Sequence, residues 1–274
     1  MVFRDLVWRY VSTSLYPEAY PREGTATTGN SNTKIVNFEG FGNLCSVTDR
    51  ELAIHYDELA GAVSPLRLGR YLFACRRRKG KAVVLYKANV RLSGSLWGVL
   101  SVFEVVLRNG IDRHYTNRFG ADWLRDECAP GGYLSQKGCE KSRRNVLEFY
   151  GDLGNDYSHD RLVAKLGLGF WKAAFCPKEF RAAGSTLLEI FSKRPGGVSQ
   201  GDVLRFLTQI NNIRNRIAHH DPVCFEQGRV STTHAEECYR NCLAIMQWLN
   251  LNIDLHLANV DFVEREIAFI KTLM

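Results

Sequence analysis

The stretch "RLSGSLWGVLSVFEVVLRNGIDRHY", residues 91–115, decides the fold class, because its apolar residues recur with the period of an α-helix. Leu96, Leu100, Phe103, Leu107 and Ile111 follow one another at steps of four, three, four and four residues. This spacing places them on one side of a helix with 3.6 residues per turn. The stretch therefore predicts a strong amphipathic helix with one buried face.

Helical patterning extends over most of the chain from about Ser46 onward, where glycine and proline clusters divide the sequence into segments of helix length. Near the end, the same spacing recurs at Cys238, Cys242, Ile245, Leu249 and Ile253. One run, "KAVVLYKANV" at residues 81–90, has instead the composition of a β-strand. The sequence predicts an all-α, bundle-like domain over residues 46–274.

Residues 1–45 differ from the rest of the chain. Their segment "YPREGTATTGNSNT" is small, polar and rich in turn formers, and it has no period that would give it an apolar face. We interpret residues 1–45 as an N-terminal extension or linker.

The amino-acid composition limits the classes of protein to which the chain can belong, but it does not identify a function. The 36 lysines and arginines exceed the 29 aspartates and glutamates, and the formal charge of +7 favours an anionic partner such as nucleic acid. The eight cysteines lack CxxC spacing, and arginines interrupt the N-terminal apolar residues, so we expect a reduced, cytoplasmic protein. The apolar run "GSLWGVLSVFEVVLRNG" contains Glu104 and Arg108 and falls short of the roughly 20 apolar residues of a membrane span. We expect no membrane anchor and no cofactor.

A second helix, predicted in "GDVLRFLTQINNIRNRIAHHDPV" at residues 201–223, has an unusual polar face. Val203, Phe206, Ile210, Ile213 and Ile217 form its apolar stripe. The surface away from the stripe carries no acid to pair its cations before the helix ends, and it consists of Asn211, Asn212, Asn215, Arg216 and His219. Asparagine is a poor helix former, so this composition suggests a surface that receives an anion.

The position of Arg214 and His219 within this helix admits two interpretations. Arg214 lies between stripe and polar face, and Pro222 marks the helix end, so His219 falls where the macrodipole favours a cation. In the first interpretation, both side chains bind an anionic ligand. In the second, they solvate a helix surface or bond to a neighbouring element.

The segment "RNRIAH" resembles the Arg-polar-x-x-x-His signature of HEPN-domain ribonucleases. Three further segments, "SPLRLGRYL", "LSGSLWGVLSVFEVVLRNGIDRHYTNRFGADWL" and "LVAKLGLGFWKAAF", precede it in the order in which Abi-like (AbiD/AbiF) abortive-infection proteins carry similar blocks. The resemblance covers roughly residues 50–250. It implies a HEPN-like helical bundle and a bacterial anti-phage or toxin role exercised through RNA.

The chemistry that follows needs only a group that moves protons and a cation that binds phosphate, because RNA carries its own nucleophile, the 2′-hydroxyl. His219 would move the proton, Arg214 would hold the phosphate, and Asn215 would orient His219 or bind phosphate. No carboxylate cluster accompanies these residues, so we predict a metal-independent endoribonuclease.

An earlier segment, "LRNGIDRHY", repeats the motif with Arg108, Asn109 and His114. HEPN sites are commonly composite, so the resemblance implies a site completed by this second motif within the chain or by a second copy in a homodimer. The helical wheel favours a packed His114 instead, and Arg108 has a possible ion-pair partner in Asp112 at i+4. Glu104, one turn before Arg108, is a candidate to orient that arginine.

Further RNA contacts are predicted at Arg216, His220 and Asn211, and at the basic run Arg76, Arg77 and Arg78, although a short charge run is more often a solvated loop. Four aromatic residues are candidates for base stacking, of which the last three lie among apolar residues and favour the core: Trp123, Trp97, Phe170 and Trp171. A zinc site at His219, His220, Cys224 and Cys238 is disfavoured by the spacing.

Two functions from different classes therefore compete. The first is a metal-independent endoribonuclease of an abortive-infection system that acts on RNA, with a small RNA as a candidate guide or regulator. The second is a non-catalytic helical module that binds RNA or protein in a toxin-antitoxin or phage-defence system. The intact Arg-Asn-x-x-x-His unit favours the first, because a binding module has no use for it.

Overall fold

The structure is a computed structural model that describes residues 49–274, and this part of the chain is almost entirely helical. Its α-helices, numbered along the chain, are α1 (Asp49–Val63), α2 (Pro65–Ala74), α3 (Lys79–Phe119), α4 (Trp123–Asp126), α5 (Glu140–Leu153), α6 (His159–Lys165), α7 (Leu168–Ala173), α8 (Pro177–Ala182), α9 (Gln200–Ala218), α10 (Thr233–Trp248), α11 (Ile253–Leu257) and α12 (Val263–Leu273). Three short 3-10 segments lie at Tyr133–Ser135, Gly154–Asp156 and Leu187–Ile190. The prediction of an all-α domain is confirmed, and the predicted extension at 1–45 lies outside the described residues.

The two short strands form a hairpin after α9. Strand β1 (Phe225–Glu226) pairs antiparallel with β2 (Arg229–Val230), and Glu226 lies opposite Arg229. Both residues of the connecting turn have positive φ, 47° at Gln227 and 79° at Gly228, which is the type I′ geometry favoured in two-residue hairpins. The hairpin closes the loop that leads from α9 to α10.

Helix α3 is the centre of the fold and packs against α1, α2, α7, α9, α10 and α12. The five apolar residues predicted to share its buried face are each at most 2% exposed. The helix ends at Gly120, whose φ of 106° is open to glycine but strained for other residues. The strongest periodicity in the sequence therefore marks the element around which the others pack.

The interpretation of residues 81–90 as a possible strand is wrong, because they form the beginning of α3. The β-branched pair Val83 and Val84 gives this run its strand-like composition, but Ala82, Val83, Leu85 and Ala88 follow a helical spacing and are buried. Tertiary packing of that face outweighs a propensity difference of a few tenths of a kcal/mol per residue.

Helix α3 is longer than the apolar run that the sequence analysis compared with a membrane span. At 41 residues, it is long and apolar enough to cross a membrane by length and composition alone. Core helices of soluble proteins pass the same test; in α3, sixteen of the 41 residues are buried, and 33% of its most apolar 18-residue window is buried.

The beginning of α9 is fixed by its own sequence. The Ser199 side chain accepts a hydrogen bond from the backbone N–H of Asp202, whose carboxylate accepts one from the Ser199 N–H, so the two form a capping box. Val203, Ile210 and Ile213 of the predicted stripe are buried together with Leu207, whereas Phe206 and Ile217 are only half-buried. The buried stripe therefore lies slightly to one side of the predicted one.

Candidate nucleic-acid cleavage site

The helix that carries the candidate motif ends at Ala218, one residue before His219. His219 is the C-cap residue, and His220 adopts a left-handed conformation with φ 56°. The Asp221 N–H then donates to the Arg216 carbonyl at 2.7 Å and the His220 N–H donates to the Ile217 carbonyl at 3.0 Å. This is a Schellman motif, in which histidine occupies the position that glycine usually fills, at a cost of about 1–2 kcal/mol.

The side chain of Arg216 forms hydrogen bonds with the loop that follows the helix. Its Nη2 donates to the carbonyl oxygens of Pro222 and, at 3.2 Å, of Phe225. Its Nε lies 3.8 Å from the Asp221 carboxylate. The predicted RNA contact at Arg216 thus falls on a side chain that ties the helix end to the hairpin.

Helix α2 supports the same helix end from the other side. Arg67 donates to the His220 carbonyl at 3.0 Å, and Arg70 lies 3.6 Å from the second oxygen of the Asp221 carboxylate. Asn89 of α3, which is buried, accepts hydrogen bonds from the N–H groups of Val223 and Cys224. These contacts fix the backbone that holds His219 and His220, while leaving both imidazoles exposed.

Arg214 faces α3 rather than the helix end. Its Nε lies 3.8 Å from a carboxylate oxygen of Glu104, and its guanidinium carbon is 5.8 Å from the centre of the Trp97 ring. The Nε is buried and has no hydrogen-bond partner, because 3.8 Å is too long for a hydrogen bond. Glu104 therefore holds Arg214 by charge and leaves its Nε donor unsatisfied.

Helix α7 begins beside this pair. A Cβ on Gly167 would lie 3.8 Å from the Glu104 carboxylate, and a Cβ on Gly169 would lie 4.0 Å from the Asn211 side-chain oxygen. The predicted residue Asn211 is thus placed near Gly169, on the flank of α9 that faces α7. Glu104, Asn211 and Arg214 line the junction of α3, α7 and α9.

The structure separates the residues of the second motif. Arg108 is half-buried, with its Nε buried and without a hydrogen-bond partner, and Asn109 is exposed. The His114 Nε2 lies 2.9 Å from the Thr186 hydroxyl, and burial lowers the pKa of its imidazole. His114 is therefore a packed histidine in contact with the segment before the third 3-10 turn.

The suggested i,i+4 ion pair between Arg108 and Asp112 is wrong. Asp112 accepts hydrogen bonds from His159 at 2.7 Å and from the Trp123 indole at 2.8 Å. Although burial favours the neutral acid, these two donors lower the pKa of Asp112 below its ordinary value. Asp112 turns towards α4 and α6, so Arg108 keeps an unpaired donor.

Asn215, His219 and His220 are exposed. Within residues 49–274, none of their side chains has a hydrogen bond or an ion pair, and Arg214 makes no contact with His219. A separation of five residues corresponds to a rise of about 7.5 Å and a rotation of about 140° on a helix. The guanidinium and the imidazole of the motif therefore leave α9 in different directions.

The other predicted RNA-binding residues lie apart from the motif. Arg76, Arg77 and Arg78 form an exposed turn between α2 and α3, in which Arg76 and Arg77 have positive φ. Phe170 and Trp171 are in the core, as predicted, whereas Trp123, expected to be available for stacking, is fully buried. Trp97 was predicted to be in the core, but it is 37% exposed and lies beside Arg214.

The residues of the alternative zinc site are not grouped. His219 and His220 are exposed, whereas Cys224 and Cys238 are buried, and burial raises the pKa of Cys224 to about 12. The described part of the chain contains no group of three or more His, Cys, Asp or Glu residues that could hold a metal ion.

A cavity of about 460 Å³ lies next to the helix end, and it is lined by Arg70, Arg216, Phe225, Glu226, Gln227, Gly228 and His234. Glu226 and His234 pair across it at 3.3 Å, and Asp221 pairs with both arginines. The cationic groups of this cavity already have anionic partners within the chain.

Sequence reasoning missed two features of the site. Glu104 was interpreted as a partner of Arg108, one turn away on α3, but it pairs with Arg214, which lies 110 residues later in the chain. The exposure of Trp97 was likewise unexpected. Its signals in the sequence are the small residues at i−3 and i+4, Gly94 and Ser101, and its position about 100° from Leu96 on the helical wheel.

Comparisons with family models, with curated proteins and with solved structures find no match for this chain.

Proposed function

We propose that the chain is a metal-independent endoribonuclease that acts through Arg214 and His219, in the abortive-infection role that the sequence resemblance implies. The observation that carries this proposal is the state of Arg214. Its guanidinium is held against α3 by Glu104 and Trp97, yet its Nε is buried without a hydrogen-bond partner. The Nη groups of Arg214 are neither buried nor hydrogen-bonded within the described residues, so they can donate to two phosphate oxygens.

Arg214 would bind the phosphate whose ester bond breaks. In the transition state, charge accumulates on the phosphate oxygens, and a guanidinium already fixed in place stabilises that charge without further reorganisation. Glu104 contributes by holding the side chain at a distance that leaves its donors available. Arg108 of α3, which is likewise half-buried with an unpaired Nε, is a candidate for the same phosphate.

His219 would transfer a proton. The 2′-oxygen attacks phosphorus and loses its proton, while the bond from phosphorus to the 5′-oxygen breaks and that oxygen gains a proton. The products are a 2′,3′-cyclic phosphate and a 5′-hydroxyl. His219 carries out one of the two proton transfers, for which an exposed imidazole at a rigid helix end is suited, and solvent completes the proton balance.

The different directions of Arg214 and His219 favour a site shared by two copies of the chain. In such a homodimer, Arg214 of one copy and His219 of the other act on one phosphate. Mixing Arg214→Ala with His219→Ala protein then restores about a quarter of the parental activity, because half of the dimers are mixed and each has one intact site. A site contained within one chain predicts no restoration.

The alternative function is RNA binding without cleavage, which the exposed turn of Arg76, Arg77 and Arg78 favours. A binding protein of this kind loses affinity when these arginines are replaced, and its affinity depends on salt. It is unaffected by the loss of His219, which distinguishes it from a nuclease.

The test incubates the purified protein with total RNA in the presence of EDTA and maps the ends that form. We expect 2′,3′-cyclic phosphate and 5′-hydroxyl ends from the parent protein and none from His219→Ala. Because the His219 side chain is exposed and has no hydrogen bond or ion pair within the described residues, this variant should unfold at about the same temperature as the parent. Cleavage that requires added magnesium, or that survives in His219→Ala, contradicts the proposal.

A further inference from the structure

Trp97 is a large aromatic side chain exposed beside the candidate site. The other tryptophans in the described chain, Trp123, Trp171 and Trp248, are at most 8% exposed, whereas Trp97 is 37% exposed. Its indole N–H makes no hydrogen bond within residues 49–274. An exposed aromatic ring forgoes the stability that burial would provide, so its position suggests a ligand.

The helix around Trp97 leaves the ring uncovered. A helical side chain leans over the preceding turn, where Gly94 is exposed and a Cβ placed on it would have nothing within 4 Å. One turn further on is Ser101, also exposed, whose hydroxyl donates to the Trp97 carbonyl at 2.8 Å. The neighbours of Trp97 at i−3 and i+4 on α3 therefore carry no bulky side chain that would cover the ring.

The charges near Trp97 complement a phosphate. Glu104 and Arg108 follow Trp97 by seven and eleven residues, which places each of them within about 20° of Trp97 on the helical wheel. Arg214 reaches the same face from α9, with its guanidinium carbon 5.8 Å from the ring centre. Two arginines and one glutamate give this face a net positive charge.

We propose that Trp97 stacks on a nucleobase adjacent to the phosphate that Arg214 binds, so that the substrate of this site is single-stranded RNA. This inference rests on the proposed function and names its substrate class. An aromatic ring beside a guanidinium matches the alternation of base and phosphate along a single strand. A duplex does not fit, because its bases are stacked and paired with one another.

A second copy of the chain is the rival occupant of this surface. Val90 and Val105, also on α3, are 51% and 41% exposed, and two copies of the chain would bury such residues. The arginines distinguish the two occupants, because this face of net positive charge repels the same face of a second copy and attracts a polyanion, which leaves a dimer that brings His219 of one copy towards Arg214 of the other unaffected. We therefore assign the surface to RNA.

The test measures binding in the His219→Ala background, so that RNA remains intact, with a fluorescein-labelled single-stranded RNA of mixed sequence and its duplex as probes. We expect Trp97→Ala to weaken single-strand binding about tenfold or more, the effect of losing one base stack. Trp97→Phe is the matched control, because it keeps a stacking ring and should retain most of the affinity. Single-stranded RNA should quench tryptophan fluorescence in the parent background but not in Trp97→Phe.

A second variant keeps the tryptophan and blocks the ring. Gly94→Leu adds a side chain in open space next to Trp97, so the protein should fold and lose affinity as Trp97→Ala does. Equal affinity of the parent, Trp97→Ala and Gly94→Leu would overturn the proposal, as would equal binding of the duplex. A change in oligomeric size of Trp97→Ala in the absence of RNA would also overturn it, by assigning the ring to contact between copies.

Failure of the proposed nuclease function gives a different result. If the protein with His219 intact cleaves no RNA but Trp97→Ala still weakens single-strand binding, the stacking role stands and the nuclease assignment fails. If cleavage is observed and binding does not depend on Trp97, the nuclease assignment stands and the stacking role fails.

Discussion

Arg214 and Arg216 lie two residues apart on α9 and are equally exposed, with 24% of each side chain accessible, yet their surroundings differ. Arg216 donates to two backbone carbonyls and pairs with Asp221, so its guanidinium is already bound by other residues of the chain. Arg214 has one distant carboxylate, the face of one indole and a buried Nε without an acceptor. Exposure alone therefore does not identify the arginine that is available to a ligand.

The largest expected effect is the loss of cleavage in Arg214→Ala. Removing a fixed charge from a developing oxyanion typically costs a factor of about 10²–10³ in kcat. The stability should change little, because the one charge partner of Arg214 among the described residues, Glu104, is 3.8 Å away. Single-turnover cleavage of a labelled RNA and thermal unfolding of the same preparation measure the activity and the stability. Cleavage by this variant at the parental rate would show that Arg214 is no more important for activity than Arg216.

Arg216→Ala should have the opposite profile. It removes charged hydrogen bonds to the carbonyls of Pro222 and Phe225, for which we expect a loss of about 2–3 kcal/mol in the free energy of unfolding. For a domain of this size, the midpoint of thermal unfolding then falls by about 5–10 °C. Below that midpoint, the folded fraction should retain cleavage. A variant as stable as the parent would mean that these bonds contribute nothing to the helix end.

Glu104→Gln should have a smaller effect, confined to activity. Glutamine keeps the shape of the side chain but removes the charge that positions Arg214, so we expect cleavage to slow by about tenfold, or ~1.4 kcal/mol. The double variant Glu104→Gln with Arg214→Ala should be no slower than Arg214→Ala alone, because Glu104 acts through that arginine. Additive losses would assign Glu104 a separate role.

The smallest expected effect is a pH dependence of the stability caused by His114, the packed histidine of the second motif. Its pKa in the folded protein lies below the unfolded value of about 6.5, so between these two values the unfolded chain binds more protons. Stability therefore falls as the pH drops through 6.5 towards the folded pKa. Urea unfolding at pH 7 and pH 5 should show this loss in the parent and a smaller loss in His114→Gln, which keeps a polar partner for Thr186. An identical loss in both proteins would show that His114 does not cause it.

The same contrast shows how far the sequence leads. The stripe from Leu96 to Ile111 is predictable because helical period and burial are local properties. The partner of Glu104 is not predictable, because Arg108 on the same helix and Arg214 on another are equally plausible by charge. Only the packing of α3 against α9 decides between them.

The candidate site residues also differ in whether their surroundings can be predicted from the sequence. The exposure of Asn215 and His219 follows from the helical wheel. The hydrogen bonds of Arg216 do not, because they form only when the loop after α9 folds back and brings its carbonyl groups to the helix end. Trp97 is exposed although it lies in the most apolar stretch of the chain, because the core positions of α3 fall on its other side. Three-dimensional neighbours, which no local pattern encodes, determine the bonds of Arg216, whereas the helical wheel already places Trp97 away from the core positions of α3.

The measurement that tests the central claim most directly is the chemistry of the RNA ends produced in EDTA by the parent, Arg214→Ala and Arg216→Ala, each assayed below its own unfolding midpoint. We predict 2′,3′-cyclic phosphate ends from the parent and from Arg216→Ala, and none above background from Arg214→Ala. Equal amounts of these ends from Arg214→Ala, or their absence from the parent, would contradict the account.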